Sequence, residues 1–177
     1  ATIIAIIFAA ALTRLVPHPW NFAPITAVAL FGGAHLGRRL AFMVPLGAML
    51  IGDLVLGFHA TMPFVYLSFV LIVTMGQWVQ KDQTVSRIGG AAVFGSLLFF
   101  LLTNFGVWAV GSLYPRTVEG FVACFTMAIP FFQQTLAGDL LYTTVLFGGF
   151  ALLTRRVPQL GETVAAYQQL FALIEDR

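Results

Sequence analysis

Six long apolar stretches dominate this sequence. A water-soluble fold built from them would have almost no polar surface. They cover about 1–16, 24–37, 40–57, 63–80, 88–110 and 133–154. Only 9% of the residues are charged and the mean hydropathy is +0.93, whereas a soluble domain carries about 25% charged residues. About 20 apolar residues cross a bilayer, or fewer where the bilayer adapts. The sequence therefore predicts an all-α integral membrane protein with six transmembrane helices in a single domain, residues 1–157.

The two ends of the chain are interpreted separately. Stretch 1–16 is similar in composition to the core of a signal peptide, but it has no basic leader and no cleavage site follows it. We expect it to be a mature transmembrane helix, with the natural start of the chain upstream of Ala1. Residues 158–177 change to amphipathic spacing, which indicates a helix on the cytoplasmic membrane surface. Its apolar face would hold Val164, Tyr167, Leu170, Phe171 and Ile174.

The basic residues predict an orientation. Of the nine Lys and Arg residues, only Arg14 and Arg116 fall on one side of the six predicted helices, and the rest fall on the other. Because loops rich in Lys and Arg stay in the cytoplasm, we expect both termini to be cytoplasmic. Loops 17–23, 58–62 and 111–132 would then face outward. The apolar part of the last loop, 118–132, is expected to lie along the membrane or dip into it as a lid.

Three charged residues lie within the outer parts of predicted membrane helices, namely Arg14, Asp53 and Asp139. A charge at the bilayer centre costs about 2.5–3.5 kcal/mol on insertion scales, so we expect these side chains to face the protein interior or a wet cavity. They could bind a polar ligand, or an Arg–Asp pair could tie helices together. The two interpretations are compatible, because one cation leaves one of the two carboxylates without a cationic partner.

Further polar and aromatic groups gather at the same outward face. His18 lies between two prolines, which pre-order its loop and lower the entropy cost of binding. Trp108 could be an interfacial anchor, the commonest role of Trp, or could line a pocket. His18 and His59 with a carboxylate could hold a metal, but hydrogen bonding or loop structure explains them more simply, so we predict no metal and no cofactor. The remaining candidates for substrate binding are Trp20, Asn21, Asn104, Gln133 and Gln134.

No catalytic pattern occurs in the sequence. It has no glycine-rich phosphate loop, Walker lysine, HExxH or nucleophile elbow, and nothing supplies a nucleophile beside Asp53 or Asp139. The single cysteine, Cys124, excludes an intrachain disulfide. No continuous basic face predicts nucleic-acid binding. We therefore expect a protein that is not an enzyme, with a membrane enzyme as the weakest alternative.

Small residues suggest two packing features. Ala1, Ala5 and Ala9 recur every four residues on the first helix, and such a stripe lets another helix approach closely. It could serve a partner protein or internal packing. The tetrapeptide Leu-Phe-Gly-Gly occurs at 30–33 and at 146–149, each time before an arginine pair. The repetition could reflect an internal duplication or only a shared membrane composition.

Several motifs carry a resemblance that covers nearly the whole chain. They include Arg14-Leu15, Pro17-His18-Pro19, Asn21 to Ile25, Ala29 to Gly33, Asp53-Leu54, Thr103 to Trp108, Pro130 to Phe132 and Gly138-Asp139. With these motifs the chain resembles an uncharacterised family of bacterial transport proteins. That family is similar in turn to the substrate-binding S subunits of energy-coupling factor (ECF) vitamin transporters.

The resemblance implies a bundle like that of an ECF S component in the bacterial inner membrane. Loop 17–23 would cap the pocket, and Ala1, Ala5 and Ala9 would dock on a coupling protein with two ATPases. The leading hypothesis is a substrate-binding subunit for uptake of a vitamin-like micronutrient captured at the extracytoplasmic face. The small-molecule ligand, the energising module and the lipid bilayer are its expected partners. The alternative is a non-catalytic accessory subunit of a larger membrane complex.

Overall fold

A computed structural model describes residues 2–13, 22 and 24–175, except for the side chains of 25, 167, 168 and 170–175. These residues form helices and short connections, with no strand among them. A π-helical turn, Thr144–Gly148, joins the sixth helix to the seventh. The helices are α1 (Thr2–Leu12), α2 (Ile25–His35), α3 (Arg38–Leu56), α4 (Met62–Gln80), α5 (Val85–Val110), α6 (Val118–Thr143), α7 (Gly149–Arg156) and α8 (Pro158–Glu175).

Four helical stretches are long and apolar enough to cross a membrane. They are α3, α4, α5 and the continuous stretch Val118–Arg156, which has 39 residues. At 1.5 Å per residue the last is about 58 Å long, far more than the roughly 30 Å of hydrocarbon in a bilayer. The predicted all-helical class is confirmed, and the helices are compatible with a multi-pass membrane protein. However, α1 and α2 have 11 residues each, below the roughly 17 that a crossing needs, so six crossings are not confirmed.

Helix α2 is the centre of the bundle. It packs against α1, α3, α4, α5 and α6, and its side chains from Thr26 to Ala34 are buried, with Leu30 and Phe31 fully shielded. A helix that is apolar on every side belongs in a core or in lipid, and here protein covers all of its faces. The apolar run that predicted a second membrane span at 24–37 is therefore largely core.

The crossing of α2 and α4 depends on two glycines. A Cβ atom on Gly33 would overlap the Val73 carbonyl oxygen and lie 2.8 Å from the Cα of Gly76. Only glycine lets the two backbones approach this closely. The second Leu-Phe-Gly-Gly copy does not share this role, because a Cβ on Gly148 or Gly149 would meet nothing within 4 Å.

The sixth helix begins much earlier than the sequence predicted. α6 starts at Val118, so the predicted outward loop 111–132 shrinks to a connection of residues 111–117. The Thr117 hydroxyl accepts a hydrogen bond from the Gly120 N–H at 3.2 Å and caps the helix. Pro130 lies inside α6, as membrane helices tolerate. The predicted loop over 118–132 is therefore wrong, because this capped apolar segment extends the helix towards the N-terminus.

The connections divide the bundle into two ends. We call the end with connections 57–61 and 111–117 the upper end, and the end with connections 36–37 and 81–84 the lower end. α8 follows α7 at the lower end and packs against it. Among the described basic residues, only Arg116 is at the upper end. The others lie at or near the lower end, namely Arg38, Arg39, Lys81, Arg87, Arg155 and Arg156.

Candidate functional site

A cavity of about 260 Å³ lies between α4, α5 and α6 in the upper part of the bundle. The side chains on α5 and α6 recur every three or four residues, so each helix presents one face to the cavity. It is lined by Val65 of α4, by Phe99, Phe100, Thr103, Asn104 and Val107 of α5, and by Ala128, Phe131, Phe132 and Thr135 of α6. We refer to it as the α4–α6 cavity.

Aromatic rings form much of its wall. The Phe100 ring centroid lies 4.9 Å from that of Phe132 and 5.7 Å from that of Phe125, which packs edge-on against it. Such pairs hold their rings in fixed relative orientations. None of the described lining residues is charged. The cavity therefore suits an uncharged ligand with an apolar or aromatic body.

Three polar side chains interrupt this apolar wall. Asn104 Nδ2 donates a hydrogen bond to the Phe100 carbonyl oxygen at 2.8 Å. The hydroxyls of Thr103 and Thr135 donate to carbonyl oxygens four residues earlier, at 2.8 and 3.1 Å. The Asn104 carboxamide carries a second N–H and an oxygen acceptor, and each hydroxyl oxygen can still accept. The wall can therefore offer a ligand both donors and acceptors.

Asp139 does not line this cavity. Its side chain is fully buried, and it accepts hydrogen bonds from the Thr26 backbone N–H at 3.1 Å and from the Ser96 hydroxyl at 2.7 Å. Helix α2 starts at Ile25 without a side-chain cap from its own N-cap residue. The carboxylate of α6 therefore satisfies a free N–H of α2 and complements the helix dipole, and it ties α2, α5 and α6 together.

Asp53 belongs to a different junction. It is buried in α3, and the Tyr66 hydroxyl of α4 donates to its Oδ2 at 2.9 Å. The two aspartates thus stabilise separate helix contacts. Both face the protein interior, as their cost in lipid predicted, but neither is among the residues described around the α4–α6 cavity.

The upper connections hold two further candidates. The exposed His59 Nδ1 lies 2.8 Å from the Thr61 hydroxyl, a local contact within the α3–α4 turn. Trp108 Nε1 donates to the Pro115 carbonyl oxygen at 3.2 Å, and its ring packs edge-on against Phe121 at 5.3 Å. Trp108 therefore holds the α5–α6 connection in place. Its helix neighbour Val107 lines the cavity.

The remaining candidate residues are either exposed or outside the residues that the structure describes. Gln133 and Gln134 are exposed on α6 and are not among the described lining residues. Ala5 and Ala9 are exposed on α1, whereas the neighbouring Ile3 is buried. The alanine stripe thus faces away from the bundle at these two positions. Outside the described residues lie Ala1, Arg14, His18, Trp20 and Asn21.

The structure brings together residues that sequence reasoning overlooked. Asn104 was a candidate, but its phenylalanine neighbours were not, because a chain with 18 phenylalanines offers no contrast between a pocket and a membrane face. Residues 128–135 were divided between a supposed lid and the start of a span. The sequence pattern that could have predicted the cavity is a polar Asn with aromatic residues one helical turn away. No group of His, Cys, Asp or Glu within the described part of the chain could hold a metal ion.

Comparison with known proteins identifies the family of this chain, and the function of that family is unknown. The profile of a family of unknown function (DUF6580) matches residues 1–160, and the chain belongs to this family. No curated protein and no solved structure matches the chain significantly.

Proposed function

We propose that this protein is a membrane subunit that binds a small uncharged molecule in the α4–α6 cavity. The observation that carries the proposal is the carboxamide of Asn104 on the wall of a largely apolar cavity. A carboxamide in an apolar helix costs free energy unless it is hydrogen-bonded, and one bond to Phe100 uses only part of its capacity. A ligand with one or two polar groups would use the rest.

The volume and chemistry of the cavity limit the ligand. Its volume of about 260 Å³ is just below the range of about 300–1,000 Å³ typical of ligand pockets. A vitamin-like micronutrient with a single ring would be of suitable size. Asp53 and Asp139 do not supply charge to this ligand, because both carboxylates have hydrogen-bond partners elsewhere in the bundle.

The proposal includes a membrane topology and a mode of action. Although α1 and α2 have only 11 residues each, they would complete an S-component-like bundle of six crossings where the bilayer thins around them. The basic lower end would face the cytoplasm. The α4–α6 cavity would then lie nearer the outside, where a nutrient arrives. The exposed Ala5 and Ala9 would be available to a coupling protein with ATPases, which would supply the energy for uptake.

A pair of matched substitutions on α6 tests the proposal. Ala128→Phe fills the cavity, whereas Ala137→Phe adds the same bulk to an exposed position of the same helix. We would measure the Tm of purified protein against a panel of small neutral aromatic amides and alcohols. A compound at 100 times its Kd stabilises the folded state by about 2.7 kcal/mol. We expect at least one compound to raise the Tm of the wild type and of Ala137→Phe but not of Ala128→Phe.

Two outcomes would reject ligand binding in this cavity. One is a Tm rise of equal size in Ala128→Phe, and the other is no rise with any compound in the wild type. The second outcome would favour an accessory subunit of a larger complex. The intramolecular partners of Asp53, Trp108 and Asp139 are the observation that supports this alternative.

A further inference from the structure

A second concave feature lies at the lower end, on the opposite side of α5. A groove of about 700 Å³ opens between the end of α4 and the start of α5. One part of it is polar and includes Asp82, Thr84, Ser86 and Arg87, and the rest is mainly apolar. The groove shares no described lining residue with the α4–α6 cavity.

Arg87 is held in a defined position at the polar part. Its Nη1 lies 3.1 Å from Asp82 Oδ2, and its Cζ lies 4.6 Å from the centroid of the Trp78 ring. A guanidinium has five N–H donors, and neither the single contact to Asp82 nor stacking on Trp78 uses all of them. The remaining donors suit a phosphate, which guanidinium groups bind through two parallel hydrogen bonds.

The charges near this position also favour an anion. Lys81 and Arg87 carry two positive charges and Asp82 one negative charge, which leaves one net positive charge on residues 81–87. The hydroxyls of Thr84 and Ser86 lie in the same lining. Asp82 would repel an anion, but its pairing with Arg87 offsets this.

The apolar part of the groove distinguishes a lipid from a soluble anion. Gly90, Ala91 and Phe94 follow Arg87 at helical spacing and line the groove with Met75 of α4. A Cβ on Gly90 would meet nothing within 4 Å, so the groove is open there. Trp78 and Phe94 are 56% and 57% exposed. A soluble phosphate would leave this apolar surface uncovered, whereas an acyl chain would cover it.

We propose that this groove binds one anionic phospholipid. Its phosphate would contact Arg87 and Ser86, and one acyl chain would lie along Gly90 and Phe94. Trp residues are common at the depth of lipid headgroups, and basic pockets between cytoplasmic helix ends bind anionic lipids. The inference rests on the membrane orientation proposed above but not on a ligand in the α4–α6 cavity.

Native mass spectrometry with two variants and a matched control tests the proposal. Protein would be reconstituted in mixed phosphatidylglycerol and phosphatidylcholine vesicles, released into mild detergent and weighed with its retained lipid. Arg87→Gln removes the guanidinium, Gly90→Leu obstructs the apolar part, and Arg155→Gln removes a basic residue from the same end outside the groove. We expect one phosphatidylglycerol on the wild type and on Arg155→Gln. Its occupancy should fall at least about tenfold in Arg87→Gln, as the loss of a charge-assisted contact implies.

Three results would overturn the assignment. The first is equal loss of phosphatidylglycerol in Arg87→Gln and Arg155→Gln, which would indicate a non-specific attraction to the basic end. The second is full retention in Gly90→Leu. The third is displacement of the lipid by inorganic phosphate alone, which would show a simple anion site. If Arg87→Gln fails to fold, Gly90→Leu and the phosphate competition on the wild type still show whether the groove binds a phospholipid.

Discussion

At the scale of single residues, Asp139 places a carboxylate where two helices present donors to it. The Thr26 N–H belongs to the first turn of α2 and the Ser96 hydroxyl to the middle of α5. The single hydroxyl hydrogen of Ser96 can point either to Asp139 or to the Ala92 carbonyl oxygen at 2.9 Å. When it points to Ala92, the hydroxyl oxygen can accept a hydrogen bond from a donor at position 139. The side chain therefore acts through hydrogen bonds that a neutral carboxamide can also form.

This network predicts different results from two substitutions of Asp139. In Asp139→Asn the side-chain oxygen can still accept from Thr26, and the new NH₂ group can donate to Ser96. We expect a loss of about 1 kcal/mol or less in the free energy of unfolding. Asp139→Leu leaves the Thr26 N–H without a partner and should cost about 2–3 kcal/mol. Unfolding in a mixed-micelle denaturant titration would measure both. If the two variants are equally damaged, the negative charge itself is required, and the capping account is wrong.

The sequence predicted the environment of this residue but not its partner. The cost of a charge in lipid was enough to place Asp139 inside the protein. One of its partners is a backbone N–H that lies 113 positions earlier in the chain. Every residue except proline has such a group, so the residue type does not indicate it. The same limit applies to Trp108, whose partner is the Pro115 carbonyl oxygen.

At the scale of elements, the contact of α2 with α4 depends on the absence of side chains at Gly33 and Gly76. Helix packing without a hydrophobic driving force relies on such close backbone approach. The repeated Leu-Phe-Gly-Gly tetrapeptide provides an internal comparison, because only its first copy lies at a crossing. The second copy spans the junction of the π-helical turn and α7.

Alanine substitutions in the two copies should therefore have different effects on the free energy of unfolding. Gly33→Ala would force α2 and α4 apart and should cost about 1–3 kcal/mol, as overpacking does. Gly149→Ala meets no atom within 4 Å and should be neutral or stabilising by about 0.5–1 kcal/mol, because alanine favours a helix more than glycine does. The same unfolding titration applies. Equal effects at both positions would contradict the close-crossing account.

The boundaries of α6 show where element prediction failed. The sequence predicted a last span that begins at 133, whereas α6 begins at Val118, directly after the Thr117 cap. Hydropathy also could not predict that α2 is shorter than the apolar run 24–37. The hydropathy of such a run is the same whether lipid or protein surrounds it. The cap at Thr117 and the shielding of α2 are both tertiary facts.

At the scale of the whole molecule, composition was sufficient to predict an all-helical membrane protein, and the four long apolar helices agree with it. Composition was not sufficient to locate a cavity. The α4–α6 cavity depends on how three helices diverge around Asn104 and Ala128, and on α6 being continuous past 132. Asp53 and Asp139 lie at two separate helix contacts outside this lining, and Arg14 lies outside the described residues.

The most direct test of the account is the intact mass of the protein released from its native membranes. Native mass spectrometry would compare the wild type with Ala128→Phe and Ala137→Phe. The account predicts one small-molecule adduct per chain on the wild type and on Ala137→Phe, and a bare mass for Ala128→Phe. A bare mass for the wild type, with other membrane proteins stably bound, would contradict ligand binding and favour an accessory subunit.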